Sequence, residues 1–155
     1  GEMIQDVTFE RTTYNELPFK FKAGTPSVGD VLGLGAAIDF MHKEGIDKIA
    51  RHEAELIDYA TQRLRTIPHL RIYGNAPHKA GVISFLVGKS NSYDVGTLLD
   101  KLGVAVRTGH HCTQPIMDRY GITGTVRASF ACYTTKNDID ALVDGLQRIM
   151  PMLEN

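Results

Sequence analysis

Residues 105 to 115, Ala-Val-Arg-Thr-Gly-His-His-Cys-Thr-Gln-Pro, place an arginine, two histidines and a cysteine on one short stretch. Three chemistries are open to such a run. It could ligate a metal, present a reactive thiol, or be an ordinary loop. Zinc sites take three or four ligands, commonly in paired spacings such as Cys-x-x-Cys. Here His110, His111 and Cys112 are consecutive. Neighbours in an extended segment point to opposite sides, so no metal is expected. His42, His52, His69 and His78 show no ligand spacing either.

The thiol fits the run better. A cysteine between a strand and a helix N-terminus, with Arg107, His110 and His111 close in sequence, sits where positive charge favours thiolate. Such settings lower a cysteine pKa below its free value of about 8.5, and a thiolate attacks sulfur well. Cys112 is therefore the candidate nucleophile, with His110 and His111 as its supporting loop. Cys132, within Ala-Ser-Phe-Ala-Cys-Tyr-Thr, reads as an inert residue of a strand.

Arg107 and Arg127 are candidates for binding a carboxylate at two points, against the alternative of solvated surface charge. Gly24-Thr25-Pro26 precedes a helical stretch, where backbone N–H groups and a hydroxyl can hold a phosphate. A turn with a helix cap would look the same.

These groups need elements to carry them. Residues 1 to 23 alternate weakly, and Phe19-Lys20-Phe21 reads as an extended arm. Ser27 or Asp30 could cap a helix whose face is Val31, Leu34, Ile38 and Met41, with Gly45 as its stop. Ile46, Ile49, Ala50, Leu56, Ile57, Ala60 and Leu64 recur at helical spacing before Pro68. Leu-Arg-Ile-Tyr and Val-Ile-Ser-Phe-Leu-Val, bounded by glycines, read as strands. A short helix from Ser92 to Gly103 follows, with Ser92 as its cap. Val-Ala-Val-Arg is a brief strand entering the cysteine loop, and Pro115 opens a small helix. Thr-Val-Arg-Ala-Ser-Phe-Ala-Cys-Tyr alternates as a strand. Thr135 and Asp138 open a last helix with a stripe of Ile139, Leu142, Val143, Leu146 and Ile149. The order gives an α+β fold: a two-layer domain with a mainly antiparallel sheet and helices on one face.

Bulk properties bound the function. The chain has 155 residues, a net charge of −1 and no basic tract. Nucleic-acid binding through phosphate neutralisation is not expected. No apolar run approaches the roughly 20 residues that span a bilayer, and no signal peptide is visible. Two cysteines are too few for a disulfide framework, which points to a reducing, cytoplasmic setting. Gly1 in place of an initiator methionine suggests a processed chain or a piece of a longer one.

Arg-Thr-Gly-His-His-Cys at 107 to 112 resembles the active-cysteine loop of Suf-type, second-class cysteine desulfurases, pyridoxal-phosphate enzymes of the class V aminotransferase fold. The resemblance spans the chain: Gly-Glu-Met-Ile at the start, Phe-Lys-Ala-Gly-Thr-Pro at 21 to 26, Tyr-Asp-Val-Gly at 93 to 96, Arg-Ala-Ser at 127 to 129, and Leu-Val-Asp-Gly-Leu-Gln-Arg-Ile near the end. Selenocysteine lyases share much of this pattern.

The resemblance implies conversion of L-cysteine to L-alanine, with pyridoxal 5'-phosphate as electron sink and the sulfur left as a persulfide on Cys112 for iron–sulfur cluster assembly. It implies that Arg127 holds the substrate carboxylate, that Arg107 is a second active-site arginine, and that Thr25 reaches the cofactor phosphate of a dimer partner. It also implies the small C-terminal domain of fold-type I enzymes for residues 26–155. Residues 1–25 would be an extended segment packing on an N-terminal large domain. The family's cofactor lysine lies in a Ser-x-His-Lys segment upstream of the region matched here; neither His42-Lys43 nor His78-Lys79 has that context. A homodimer, a sulfur-acceptor protein and cysteine are the expected partners of the whole enzyme. No covalently bound cofactor and no turnover are expected of these 155 residues alone. A stand-alone sulfur-carrier module using Cys112 without a cofactor is the reading from another class.

Overall fold

A computed structural model describes residues 2–153. Its contacts divide the chain into two compact units that meet at Gly45 and Ile46. The sequence boundary fell earlier, between residues 25 and 26, before a helix that groups with the first unit.

The first unit holds a hairpin of β1 (Ile4–Val7) and β2 (Thr12–Tyr14), a single 3-10 turn at Phe19–Phe21, and helix α1 (Val28–Glu44). Residues 19–21 are thus wound, not extended as their alternation suggested. The Phe19 carbonyl accepts from the Lys22 N–H at 2.9 Å, and the Lys22 ammonium sits over the Phe19 ring. Ser27 takes the N-cap position of α1 but makes no side-chain cap; its hydroxyl donates to Asp30 instead. Gly45 ends the helix with φ 92°, a conformation that glycine adopts at little cost. No residue of α1 is buried. Its apolar side chains Val31, Leu32, Leu34, Ile38, Phe40 and Met41 are all exposed.

The second unit is a four-stranded antiparallel sheet with helices. The strands are β3 (Leu70–Tyr73), β4 (Val82–Val87), β5 (Arg107–Gly109) and β6 (Thr125–Ser129), in the order β3-β4-β6-β5. The helices are α2 (Ile46–Leu64), α3 (Ser92–Asp100), α4 (Gln114–Tyr120) and α5 (Lys136–Leu153). Alternation decides which side of the sheet is inside. On β4, Ile83, Phe85 and Val87 are buried while Val82, Ser84 and Leu86 are not fully so. The core joins these three to Val126 and Ala128 of β6, Leu56, Ala60 and Leu64 of α2, Val95 and Leu99 of α3, and the stripe Ile139, Leu142, Val143, Leu146 and Ile149 of α5. Three helices thus cover one face of the sheet, the two-layer α+β arrangement expected from the sequence.

Capping follows local chemistry. Thr135 and Asp138 form a reciprocal box: the Thr135 N–H donates to Asp138 Oδ2 at 2.8 Å, and the Asp138 N–H donates to Thr135 Oγ1 at 3.3 Å. The Thr135 N–H and the Thr135 hydroxyl, each donating to Asp138 Oδ2 at 2.8 Å, hold that carboxyl below its ordinary pKa. The cap of α3 is Asn91, not Ser92: Asn91 is extended and its Oδ1 accepts from the Tyr93 N–H at 2.9 Å. Ser92 is instead buried inside the first turn. Between α2 and α5, Asp140 Oδ1 accepts from the Tyr59 hydroxyl at 2.7 Å and from Arg63 Nε at 2.8 Å. No helix among the described residues is long and apolar enough to cross a membrane.

Candidate functional site

The face of the sheet opposite the core carries the chemistry. Cross-strand pairing lines up one row of residues: Tyr73 opposite Ser84, Ser84 opposite Arg127, and Arg127 opposite Arg107. Residues directly opposite in an antiparallel sheet project to the same side, with Cβ atoms about 5 Å apart. The row therefore runs from a phenol through a hydroxyl to two guanidiniums. Neither arginine takes part in the ion pairs found among the described residues. Like charges directly opposite repel, so this end of the row is electropositive and lacks a counter-ion from the described residues.

Beside the row lies a cavity of about 260 Å³. Its walls include Tyr73, Ser84 and Arg127 from the row, Met117 and Tyr120 from α4, and His111. Tyr73 and Tyr120 meet edge to face with ring centroids 5.2 Å apart. No lysine lines this cavity.

Between β5 and α4 the chain makes a tight turn. The Thr113 N–H donates to the His110 carbonyl at 2.9 Å, and the Thr113 hydroxyl donates to the same oxygen at 2.8 Å. The two central residues, His111 and Cys112, both have positive φ, 54° and 59°. Turns of this hand normally use Asn or Gly there, and such a conformation costs roughly 1–3 kcal/mol per non-glycine residue. His110 Nδ1 accepts the Cys112 N–H at 3.0 Å. Cys112 is left exposed at the top of the turn, between two residues, His111 and Thr113, that line the cavity. The tripeptide is therefore a turn, not an extended segment. Among the described residues no three His, Cys, Asp or Glu side chains are grouped to hold an ion.

His111 ties the turn to the sheet. Its Nε2 lies 3.1 Å from the Thr125 carbonyl oxygen and 3.0 Å from Thr125 Oγ1. Its Nδ1 is buried with no hydrogen-bond partner. Burial lowers the pKa of the ring, and the charges of Arg127, Arg107 and His110 add to that; the Thr125 carbonyl opposes them and is outweighed. The balance favours the neutral ring.

The base of the loop is pinched. Gly109 opposes Thr125, and a Cβ on Gly124 would fall 2.7 Å from the Gly109 carbonyl carbon. Gly109 has φ 112°, and a Cβ there would meet the Tyr93 hydroxyl at 2.8 Å. Both positions therefore require glycine.

The structure thus brings together Arg107, His110, His111, Cys112 and Arg127. Thr25 belongs to the first compact unit, exposed between Gly24 and α1. Cys132 departs from expectation: β6 stops at Ser129, and Cys132 is exposed in the turn that follows. The loops bearing the two thiols leave the sheet at opposite ends of β6, whose five residues extend over roughly 15 Å. A disulfide would need Cα atoms within about 7 Å. Thr125, Ser84, Tyr73 and Tyr120 escaped the sequence reading. Only the period of two through Thr125 and Arg127 hinted that Thr125 shares the arginine's face.

The family model for aminotransferase class-V matches residues 1–142. The chain belongs to the aminotransferase class-V family. Among its curated relatives in that family, a probable cysteine desulfurase of Streptomyces coelicolor is 50% identical over 96% of this chain. A cysteine desulfurase of Pectobacterium carotovorum is 47% identical over 99%. This class-V chain spans 36% and 38% of those two relatives. The crystal structure of the Escherichia coli cysteine desulfurase CsdA (S-sulfonic acid) superposes with a TM-score of 0.89 at 35% identity, covering 99% of this chain and 38% of that one.

Proposed function

We propose that this chain supplies the sulfur-accepting part of a pyridoxal-phosphate-dependent cysteine desulfurase. The observation that carries the reading is the Arg107–Arg127 pair, without a counter-ion from the described residues, beside an exposed thiol held on a positive-φ turn. A cysteine substrate matches it: its carboxylate would neutralise the arginines, and its sulfur would then lie toward the turn. Arg127, in the cavity wall, is the residue for two-point carboxylate binding. Arg107 adds charge from the neighbouring strand.

The residues of this chain fit the substrate side of such a site, and no lysine lining the cavity offers itself to the cofactor. Thr25 is the residue proposed to meet the cofactor phosphate, across a homodimer. When bound, pyridoxal 5'-phosphate supplies the electron sink that labilises the substrate. The Cys112 thiolate attacks the substrate Sγ. The Cβ–Sγ bond breaks, its electron pair stays on Cβ, and protonation there yields alanine. Cys112 retains the sulfur as a persulfide, so cysteine plus thiol gives alanine plus persulfide. His111 is seated on Thr125, and burial disfavours its charged form.

The exposed Cys112 is placed to pass its sulfur to a further thiol, that of an acceptor protein serving iron–sulfur cluster assembly. The apolar side chains all round α1 support a large domain packed over it, because a helix apolar on every side is one that other structure encloses. Two free thiols at opposite ends of β6 suit a reducing, cytoplasmic setting.

The test is Cys112→Ser in the full-length protein loaded with pyridoxal phosphate. Alanine release from cysteine should be lost. Undiminished turnover in that variant would end the proposal.

A further inference from the structure

Thr125 is one of two buried polar residues among those described, at 1% exposure. Valine would fill a buried strand position of this shape without a polar cost, whereas an unbonded buried hydroxyl is penalised. The Thr125 hydroxyl is satisfied by one group, His111 Nε2 at 3.0 Å, and the Thr125 carbonyl meets the same nitrogen at 3.1 Å. A nitrogen that faces a carbonyl must carry the proton, so Nε2 donates and Nδ1 is the bare one. That assignment leaves an orphaned acceptor at Nδ1 and avoids an orphaned N–H, the rarer defect.

The same contact bears on the turn. His111 and Cys112 occupy a backbone conformation that strains both. The other side-chain hydrogen bonds of the turn, from Cys112 to His110 and within Thr113 and His110, stay inside it. Only the His111 ring reaches across to β6. It does so beside the Gly109–Gly124 pinch, where the loop has no side chains with which to grip the sheet.

We infer that Thr125 is a positioning residue: its carbonyl sets the His111 tautomer, and its hydroxyl seats that ring against β6 and so holds the strained turn that presents Cys112 toward the cavity. The inference rests on Cys112 being the sulfur acceptor. Thr125 also lines the cavity, but in this role it acts through His111.

The experiment compares Thr125→Val, Thr125→Ser and Cys112→Ser in the full-length, cofactor-loaded protein. Nitrogen-15 shifts of the His111 ring provide a readout independent of turnover. Thr125→Val should lower kcat about tenfold or more, the scale for a displaced reacting group. KM for cysteine should stay within about twofold, because Arg127 still holds the carboxylate. Thr125→Ser should restore kcat, and the Nε2 resonance should shift in the valine variant alone, while the tautomer, set by the Thr125 carbonyl, stays the same. Wild-type kcat in Thr125→Val, or a loss that serine fails to rescue, overturns the inference. Should the valine variant not fold, His111→Phe, which keeps a flat ring and removes the bond, is read by the same kcat and KM criteria. A Cys112→Ser protein that still turns over would sink the underlying reading instead, so the two failures are separable.

Discussion

Arg107 and Arg127 stand directly opposite each other on β5 and β6, and neither pairs with a carboxylate among the described residues. Two facing guanidiniums weaken a sheet by a few tenths of a kcal/mol up to about 1 kcal/mol. A chain keeps such a pair when something anionic visits it. Arg127→Gln should therefore leave the denaturation midpoint of this chain unchanged or slightly raised. In the full-length protein the same substitution should raise KM for cysteine about tenfold or more, the scale of a lost charged hydrogen bond. A marked fall in stability would instead make the arginine structural.

The pH dependence of stability should carry a His111 signature. Burial, with Arg127 and Arg107, holds this ring below its ordinary pKa of 6.5. A base with a lowered folded pKa favours folding while neutral. Its contribution is intact above about pH 6.5 and is lost as the pH falls toward the folded value. Urea midpoints of wild type and His111→Phe should thus converge on going from about pH 7.5 to about pH 5. A gap that stays constant across that window would show that the ring does not titrate in this way. Asp138 and Asp140, whose folded pKa values are also lowered, weaken the fold only further down, below their ordinary 3.8.

Gly124→Ala should loosen the base of the cysteine loop. The new methyl would lie 2.7 Å from the Gly109 backbone, which cannot swing aside as a flexible side chain can. A cost of roughly 1–3 kcal/mol is expected from such overpacking. Thermal denaturation reads it, with hydrogen exchange at 109–113 rising above that of α5.

Both thiols should react without denaturant. Cys112 and Cys132 are exposed, so about two equivalents of an aromatic disulfide reagent should be consumed per folded chain. Mild oxidation should leave no internal disulfide, because the two sit beyond opposite ends of β6. A monomeric, internally crosslinked species on non-reducing peptide mapping would contradict the placement of Cys132.

Phe85→Ala gives the reference for core damage. Phe85 is fully buried at the centre of β4, and its truncation should cost about 3–5 kcal/mol in chemical denaturation. A loss below about 1 kcal/mol would mean that the sheet is not packed as described.

Periodicity carried most of the second unit. The stripe of α5 read from sequence is the buried stripe, and the alternation in β4 gave its inner and outer faces. The same kind of pattern misled in α1, where Val31, Leu34, Ile38 and Met41 recur at helical spacing yet none is buried. Period reports a helix and not what covers it. The strand before the cysteine loop was expected at 104–107 but pairs over Arg107–Gly109, because the register with β6 decides where it forms. Cys132 was misplaced because alternation continues past Ser129 while pairing does not. The candidate site stood out in the sequence through its unusual residue types. The row Tyr73, Ser84, Arg127, Arg107 was not, since cross-strand register is invisible in a linear pattern.

The contact between Gly109 and Gly124 closes residues 110–123 into a lobe with a single narrow neck. A replacement that keeps the seats of His111 on Thr125 and of Tyr120 on Tyr73 can be exchanged there as a cassette. Longer or shorter versions would re-aim the thiol while the sheet beneath remains undisturbed, giving evolution, or a protein engineer, a way to move that side chain without refolding the scaffold.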